Sequence, residues 1–221
     1  MNKLYYLDII NLVINVYKIK NTYENTITIE KSVFITHLYR VDNVEDVYEI
    51  LEKVRKKYYD ATHNCYAYIL GDNQEIQKAS DDGEPQKTAG FPMIEVLKKN
   101  SLTNVLAITT RYFGGILLGA GGLVRAYSSS VSEIVKKCEL YVDEEQTKFK
   151  LTTSYSGYNT LLKVFNYITY DDISFTNDVI ITGYLRTDMK DKFNEDLYKY
   201  KVDNQALNYL GEFNIEVKKG D

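Results

Sequence analysis

Tryptophan is absent from the 221 residues, and cysteine, proline and histidine occur only twice each. Two cysteines, Cys65 and Cys138, with no CxxC and no Cys/His ligand spacing, exclude a disulfide scaffold and a zinc ribbon and fit a reducing compartment. Long apolar runs are missing as well. Met1 to Val16 is apolar, but Asp8, Asn11 and Asn15 interrupt it and no small-residue cleavage pattern follows, so it reads neither as a membrane span nor as a signal peptide. A cytoplasmic protein without a membrane partner is the expectation. Nor does one charge dominate: the net charge is -4, with 17 Lys/Arg against 17 Asp/Glu in residues 1–142 and 10 against 14 in residues 143–221. Unspecific coating of nucleic acid requires a strongly basic chain, because phosphate neutralisation drives it. Any nucleic-acid contact here has to be a local patch.

What is present is concentrated. Seven of the twelve glycines, both prolines and two of the five arginines fall within residues 80–127. That density specifies a loop geometry rather than generic core. Around it the chain reads as alternating strands and helices. Thr26 to Leu38 is rich in β-branched residues and predicts a hairpin or bent strand. Asp42-Asn43-Val44-Glu45 resembles a capping box opening a helix with Val44, Val47, Leu51, Val54 and Tyr58 on one face. His63 to Leu70 alternates as a strand. Pro92 can open a short helix through Leu97, Asn104 to Tyr112 predicts a strand, and Leu123 to Cys138 has helical apolar spacing.

Asp143-Glu144-Glu145 is a charged seam and the expected domain boundary, dividing residues 1–142 from 143–221. Beyond it the pattern restarts in the order β-α-β-β-α-β, the split βαβ of ferredoxin-like domains. The fold class is therefore α+β in two domains. No internal repeat or low-complexity tract is seen.

Three constellations could carry function. In the first, a strand runs through Gly114, Gly115, Gly119, Gly121 and Gly122 into a helix. Helix N-termini present unpaired N–H groups, and Arg111 and Arg125 flank the loop, so it could hold a phosphate; the alternative is that the glycines serve only turns and close packing. The second is the acidic turn Asp81-Asp82-Gly83-Glu84, whose carboxylates could chelate a hard cation but lack the spacing of a calcium loop and could be a purely structural turn. The third pairs His63 with Cys65 on one strand face, a possible thiol nucleophile and base with the acidic turn as orienter, against the plainer reading of a packed cysteine. No catalytic signature, metal-ligand set or cofactor motif is present, so no catalytic residue, metal or cofactor is expected.

Asp81-Asp82-Gly83-Glu84-Pro85 with Thr88-Ala89-Gly90, then Arg111-Tyr112-Phe113-Gly114-Gly115, then Leu118-Gly119-Ala120-Gly121-Gly122-Leu123-Val124-Arg125-Ala126-Tyr127, resemble the signature of the YigZ/IMPACT family. Ala61 to Tyr68 resembles its upstream strand motif. The resemblance implies a first domain like the second domain of ribosomal protein S5, a ferredoxin-like second domain, and a non-enzymatic role in translation through RNA, the ribosome or a translation-related protein. It supplies no catalytic residues. A monomer is expected. The family pattern has Ser-Gly where this chain has Gln86 and Lys87, which removes easy access to positive φ and sets a cation beside three carboxylates. Two other readings stay open: a hydrolase using His63, Cys65, Asp81, Asp82 and Glu84, and a protein-interaction adaptor without nucleic-acid contact.

Overall fold

A computed structural model describes residues 16–220 of the chain; the apolar opening segment lies, apart from Val16, outside the described residues. The fold is α+β in two compact units. The first holds the chain through Val142 together with the stretch from Lys218, and the second holds Asp143–Val217.

In the first unit, β1 (Tyr23–Ile29) and β2 (Ser32–Arg40) form the hairpin expected from their β-branched residues. They are joined by Glu30 and Lys31, both with positive φ, as a tight two-residue hairpin turn requires. Helix α1 (Val44–Lys57) starts one residue later than the capping box suggests. Asn43 accepts from the Asp46 N–H, and Asp46 answers by accepting from the Asp42 N–H. Strands β3 (His63–Leu70) and β4 (Ile76–Ser80) follow, then α2 (Gly90–Lys99), β5 (Val105–Tyr112) and α3 (Gly119–Val135). The sheet order is β1-β2-β5-β3-β4, with antiparallel pairing throughout.

Both faces of the central strands are covered, so their residues are buried almost without interruption. Cys65, Ala67 and Ile69 of β3 join Val105 and Ala107 of β5 in one core with Met93 and Leu97 of α2 and Leu123, Tyr127 and Val131 of α3. Tyr66, Tyr68, Leu106 and Ile108 point the other way, against Val47, Leu51 and Val54 of α1. The alternation along β3 thus sorts its side chains between two cores.

In the second unit the elements run β6 (Tyr141–Thr153), α4 (Tyr155–Val164), β7 (Ile168–Phe175), β8 (Val179–Arg186), α5 (Lys190–Lys199) and β9 (Ala206–Lys218). Strand order β7-β8-β6-β9 is that of the split βαβ arrangement. Phe149, Leu151, Ile181 and Leu185 on one sheet face pack with Leu161, Phe165, Phe193 and Leu197. Ser154 caps α4 by accepting from the Gly157 N–H. Among the described residues no helix is long and apolar enough to cross a membrane.

Candidate functional site

The segment 80–127 folds into three parts that meet at one end of the first sheet. The acidic turn is a tight reversal: Asp82 and Gly83 both have positive φ, and the Glu84 N–H donates to the Asp81 carbonyl at 2.9 Å. Its carboxylates are committed to protein groups. Asp81 accepts from the N–H groups of Lys87, Ala89 and Gly90 at 2.8, 3.0 and 2.9 Å, and so caps α2, whose own N-cap, Ala89, has no side-chain acceptor. Asp82 accepts from the Asn64 N–H at 2.7 Å and from Arg55 at 3.2 Å. This is the structural use of a turn rather than a cation cage.

Glu84 is carried inward by the turn. Its side chain is 3% exposed, and Oε1 accepts from Arg111 Nη1 at 2.6 Å and from the Tyr127 hydroxyl at 2.8 Å. Arg111, at the end of β5, also reaches Ser32 Oγ at 3.4 Å and lies between the Phe34 and Phe113 rings. A buried guanidinium needs a carboxylate, and Glu84 supplies it. Arg111 is consequently not the free phosphate partner that its place beside the glycine loop suggests. Its Nε remains a buried donor without a partner.

His63 stands next to this pair. Its Nδ1 donates to the Asp82 carbonyl at 2.7 Å, and its Nε2 lies 3.9 Å from Glu84 Oε2. Cys65 donates its thiol to the Asp81 carbonyl at 2.9 Å and lies 3.3 Å from the Tyr127 hydroxyl. Burial pushes the Cys65 thiol far above its ordinary range, with the nearby carboxylates adding to the shift. The thiolate, the form that attacks, is therefore suppressed, which opposes the thiol-hydrolase reading. Burial raises Tyr127 in the same way.

The glycine loop differs from its expected form. Gly119, Gly121 and Gly122 belong to α3, which begins at Gly119 rather than at Leu123. Packing of Leu123, Ala126 and Tyr127 into the core holds that first turn in spite of the low helix propensity of glycine. Gly114 serves close approach: a Cβ there would run into the Lys31 backbone carbonyl. Gly115 has positive φ at the exposed bend. The apolar residues of the loop face outward, with Phe113 46%, Ile116 38% and Leu117 87% exposed.

A cavity of about 360 Å³ joins these parts, lined among others by His63, Glu84, Arg111, Leu118, Gly119 and Leu123. His63 and Glu84 of the polar cleft thus meet Arg111 and Gly119 at one cavity, which Asp81, Asp82, Gly114, Gly115, Gly121 and Gly122 do not line. Arg125 and Lys87 are not in it. Arg125 is exposed on α3 beside Glu30 and Ser129, and Lys87 edges an apolar groove formed by Phe91, Pro92, Val96 and Val124. Ser32 escaped sequence reasoning, and Tyr127 was read only as part of the signature; the one available signal was that a buried Arg–Glu pair needs further polar partners.

Fold and site together define a two-unit α+β protein whose signature residues build an internal polar network under a small cavity and an apolar loop. Residues 30–135 match the family described as the Impact N-terminal domain. IMPACT family member YvyE of Bacillus subtilis (strain 168) is 56% identical over 117 residues, covering 53% of this chain and 54% of that protein. IMPACT family member YigZ of Escherichia coli (strain K12) is 40% identical over 129 residues, covering 58% and 63%. A crystal structure of an hypothetical protein aligns over 87% of this chain and 97% of its own, at 28% identity and a TM-score of 0.57. Over this region the chain is similar to members of the YigZ/IMPACT family. It spans between half and two thirds of the length of these two curated relatives.

Proposed function

We propose that the chain is a non-enzymatic cytoplasmic regulator of translation that acts by binding, and that the loop Phe113–Leu118 is its contact surface for a translation factor or a protein of the ribosome. The observation that carries this reading is the division of labour within the signature. Four of its charged side chains, Asp81, Asp82, Glu84 and Arg111, are engaged in internal bonds, while Phe113, Ile116 and Leu117 are held out to solvent. Exposed aromatic and aliphatic side chains on a rigid support are what a protein interface uses as anchors.

A second reading, direct contact with RNA, is favoured by Arg125. It is exposed and, among the described residues, forms no ion pair, and it projects from the glycine-rich turn of α3. One such cation gives a shallow salt slope, since few counterions are released.

Copurification from the native cell, with and without ribonuclease, tests both. Leu117→Asp, at a largely exposed position, should abolish retention of a ribonuclease-resistant partner. Arg125→Ala should weaken only ribonuclease-sensitive association and flatten its salt slope by roughly one unit. Retention indifferent to Leu117→Asp would remove the loop as the contact surface. Binding unchanged by Arg125→Ala at every salt concentration would remove the RNA reading.

A further inference from the structure

The polar groups around the 360 Å³ cavity make two opposite demands. At one wall stand Gly119 and Ala120, the first residues of α3. Leu118 at the cap position offers no side-chain acceptor, and the first turn holds no acidic residue. The N–H groups of this 17-residue helix therefore ask for an acceptor, with the helix dipole favouring a negative one. At another wall stand Glu84 and His63. Glu84 is 97% buried, being 3% exposed, and its Oε2 takes no hydrogen bond from any described residue. His63 Nε2, an acceptor when the ring is neutral with its proton on Nδ1 toward Asp82, is 3.9 Å from that oxygen. Two acceptors side by side ask for a donor between them, and the carboxylate favours a cationic one.

The remaining lining is mostly apolar: Pro85, Phe113, Leu117, Leu118 and Leu123. The fixed charges on the wall, Glu84 and Arg111, already cancel at 2.6 Å, so a neutral occupant leaves the balance unchanged. The volume lies at the small end for ligand pockets, which run from about 300 to 1,000 Å³.

Beyond the partner surface proposed above, with which it shares Phe113, Leu117 and Leu118, we propose that this cavity binds a small zwitterion with an apolar body, namely an apolar α-amino acid, free or as a dipeptide. Its ammonium group bridges Glu84 Oε2 and His63 Nε2, its carboxylate takes the N–H groups of Gly119 and Ala120, and its side chain lies against Leu118 and Leu123. A lone anion satisfies only the helix end and meets the Glu84 carboxylate; a lone cation satisfies only Glu84 and meets the helix dipole.

Calorimetric titration of the full chain with leucine and with leucyl-leucine tests this. One of the two should bind, and the tighter one identifies the free or the peptide form. Leucinamide, which lacks the carboxylate, and 4-methylpentanoate, which lacks the ammonium, should each bind at least about tenfold more weakly, as expected for a lost charge-assisted bond. Glycine, which lacks the apolar body, should not bind measurably. His63→Ala should weaken the zwitterion by a similar factor while leaving 4-methylpentanoate unaffected; the analogue series needs no variant and stands even where that substitution impairs folding. The proposal falls if neither probe binds at millimolar concentration, or if the two truncated analogues bind as well as leucine.

Discussion

Removing the Arg111 guanidinium would leave Glu84 charged, buried and short of its main partner. Arg111→Ala is expected to cost about 3–5 kcal/mol, the range for breaking a buried pair from one side, whereas Arg125→Ala, at an exposed position, should stay within about 0.5 kcal/mol. Urea denaturation of the two variants separates a structural arginine from a surface one. Lys87 carries a different strain. It occupies the left-handed region at φ 61, where the family pattern has glycine. A side chain there costs on the order of 1–2 kcal/mol, part of which glycine returns through unfolded-state entropy. Lys87→Gly should thus raise stability by about 1 kcal/mol and the melting midpoint by a few degrees; its N–H bond to Asp81 is backbone and survives the change. His37 supplies a pH dependence. It is almost wholly buried among Tyr39, Tyr58 and Glu24, with Nε2 2.8 Å from the Glu24 carboxylate and Nδ1 without a partner. Burial lowers its pKa from 6.5, Glu24 only partly opposing that and Lys57 adding to it. The unfolded chain therefore takes up this proton first, and stability is present in full above 6.5 and falls as pH drops toward the folded value. Denaturation midpoints between pH 8 and pH 5.5 should show this loss, and His37→Gln should flatten it.

Helix α2 is capped from outside its own sequence, by Asp81 across the turn. Asp81→Ala is expected to cost about 2 kcal/mol, the upper range for a lost cap, and to release the Ala89 and Gly90 amides to fast hydrogen exchange while Asn43→Ala at α1 leaves them protected. That cap was not legible: nothing in the string Asp81 to Gly90 ranks Asp81 over Asp82 as the acceptor, because the choice depends on how the positive-φ pair Asp82-Gly83 turns the chain. Elements with strong apolar periodicity were legible, among them α1, β3 and β5, since burial on defined faces writes itself into the sequence. Strand β4 was not. Its Ile76-Gln77-Lys78-Ala79-Ser80 is an exposed edge with no alternation, and reads as loop. The start of α3 was misplaced for the opposite reason, glycines that look like loop being held helical by the core beneath them. As for the candidate site, His63, Glu84, Arg111 and Gly119 were picked out, but their sharing of one cavity, and the exclusion of Arg125, Lys87 and the other loop glycines from it, depend on strand register that spacing does not reveal.

At the scale of the molecule, the charged seam at Asp143-Glu144-Glu145 lies inside β6, ahead of its pairing with β8, which begins at Gln146. Asp143 and Glu145 are exposed. Limited proteolysis is expected to cut in residues 143–145, ahead of that pairing, and the two fragments should stay together in native buffer and separate in denaturant. The reason is that the chain returns: Lys218 pairs with Glu139 at 2.6 Å, and the Lys219 N–H donates to the Leu140 carbonyl at 2.7 Å, both within the first unit. Fragments that part on native gel filtration would show that these contacts do not hold the closure. The same return has a consequence in time. Synthesis delivers the first unit up to Val142, then all of Asp143–Val217, and only then the two lysines that belong with the first. At about 5–20 residues per second, this leaves Glu139 and Leu140 waiting on the order of 4–15 s for partners still inside the ribosome. The first unit is begun first and finished last, so a pause or premature stop anywhere in the second releases a first unit that is folded at its core and open at its seam.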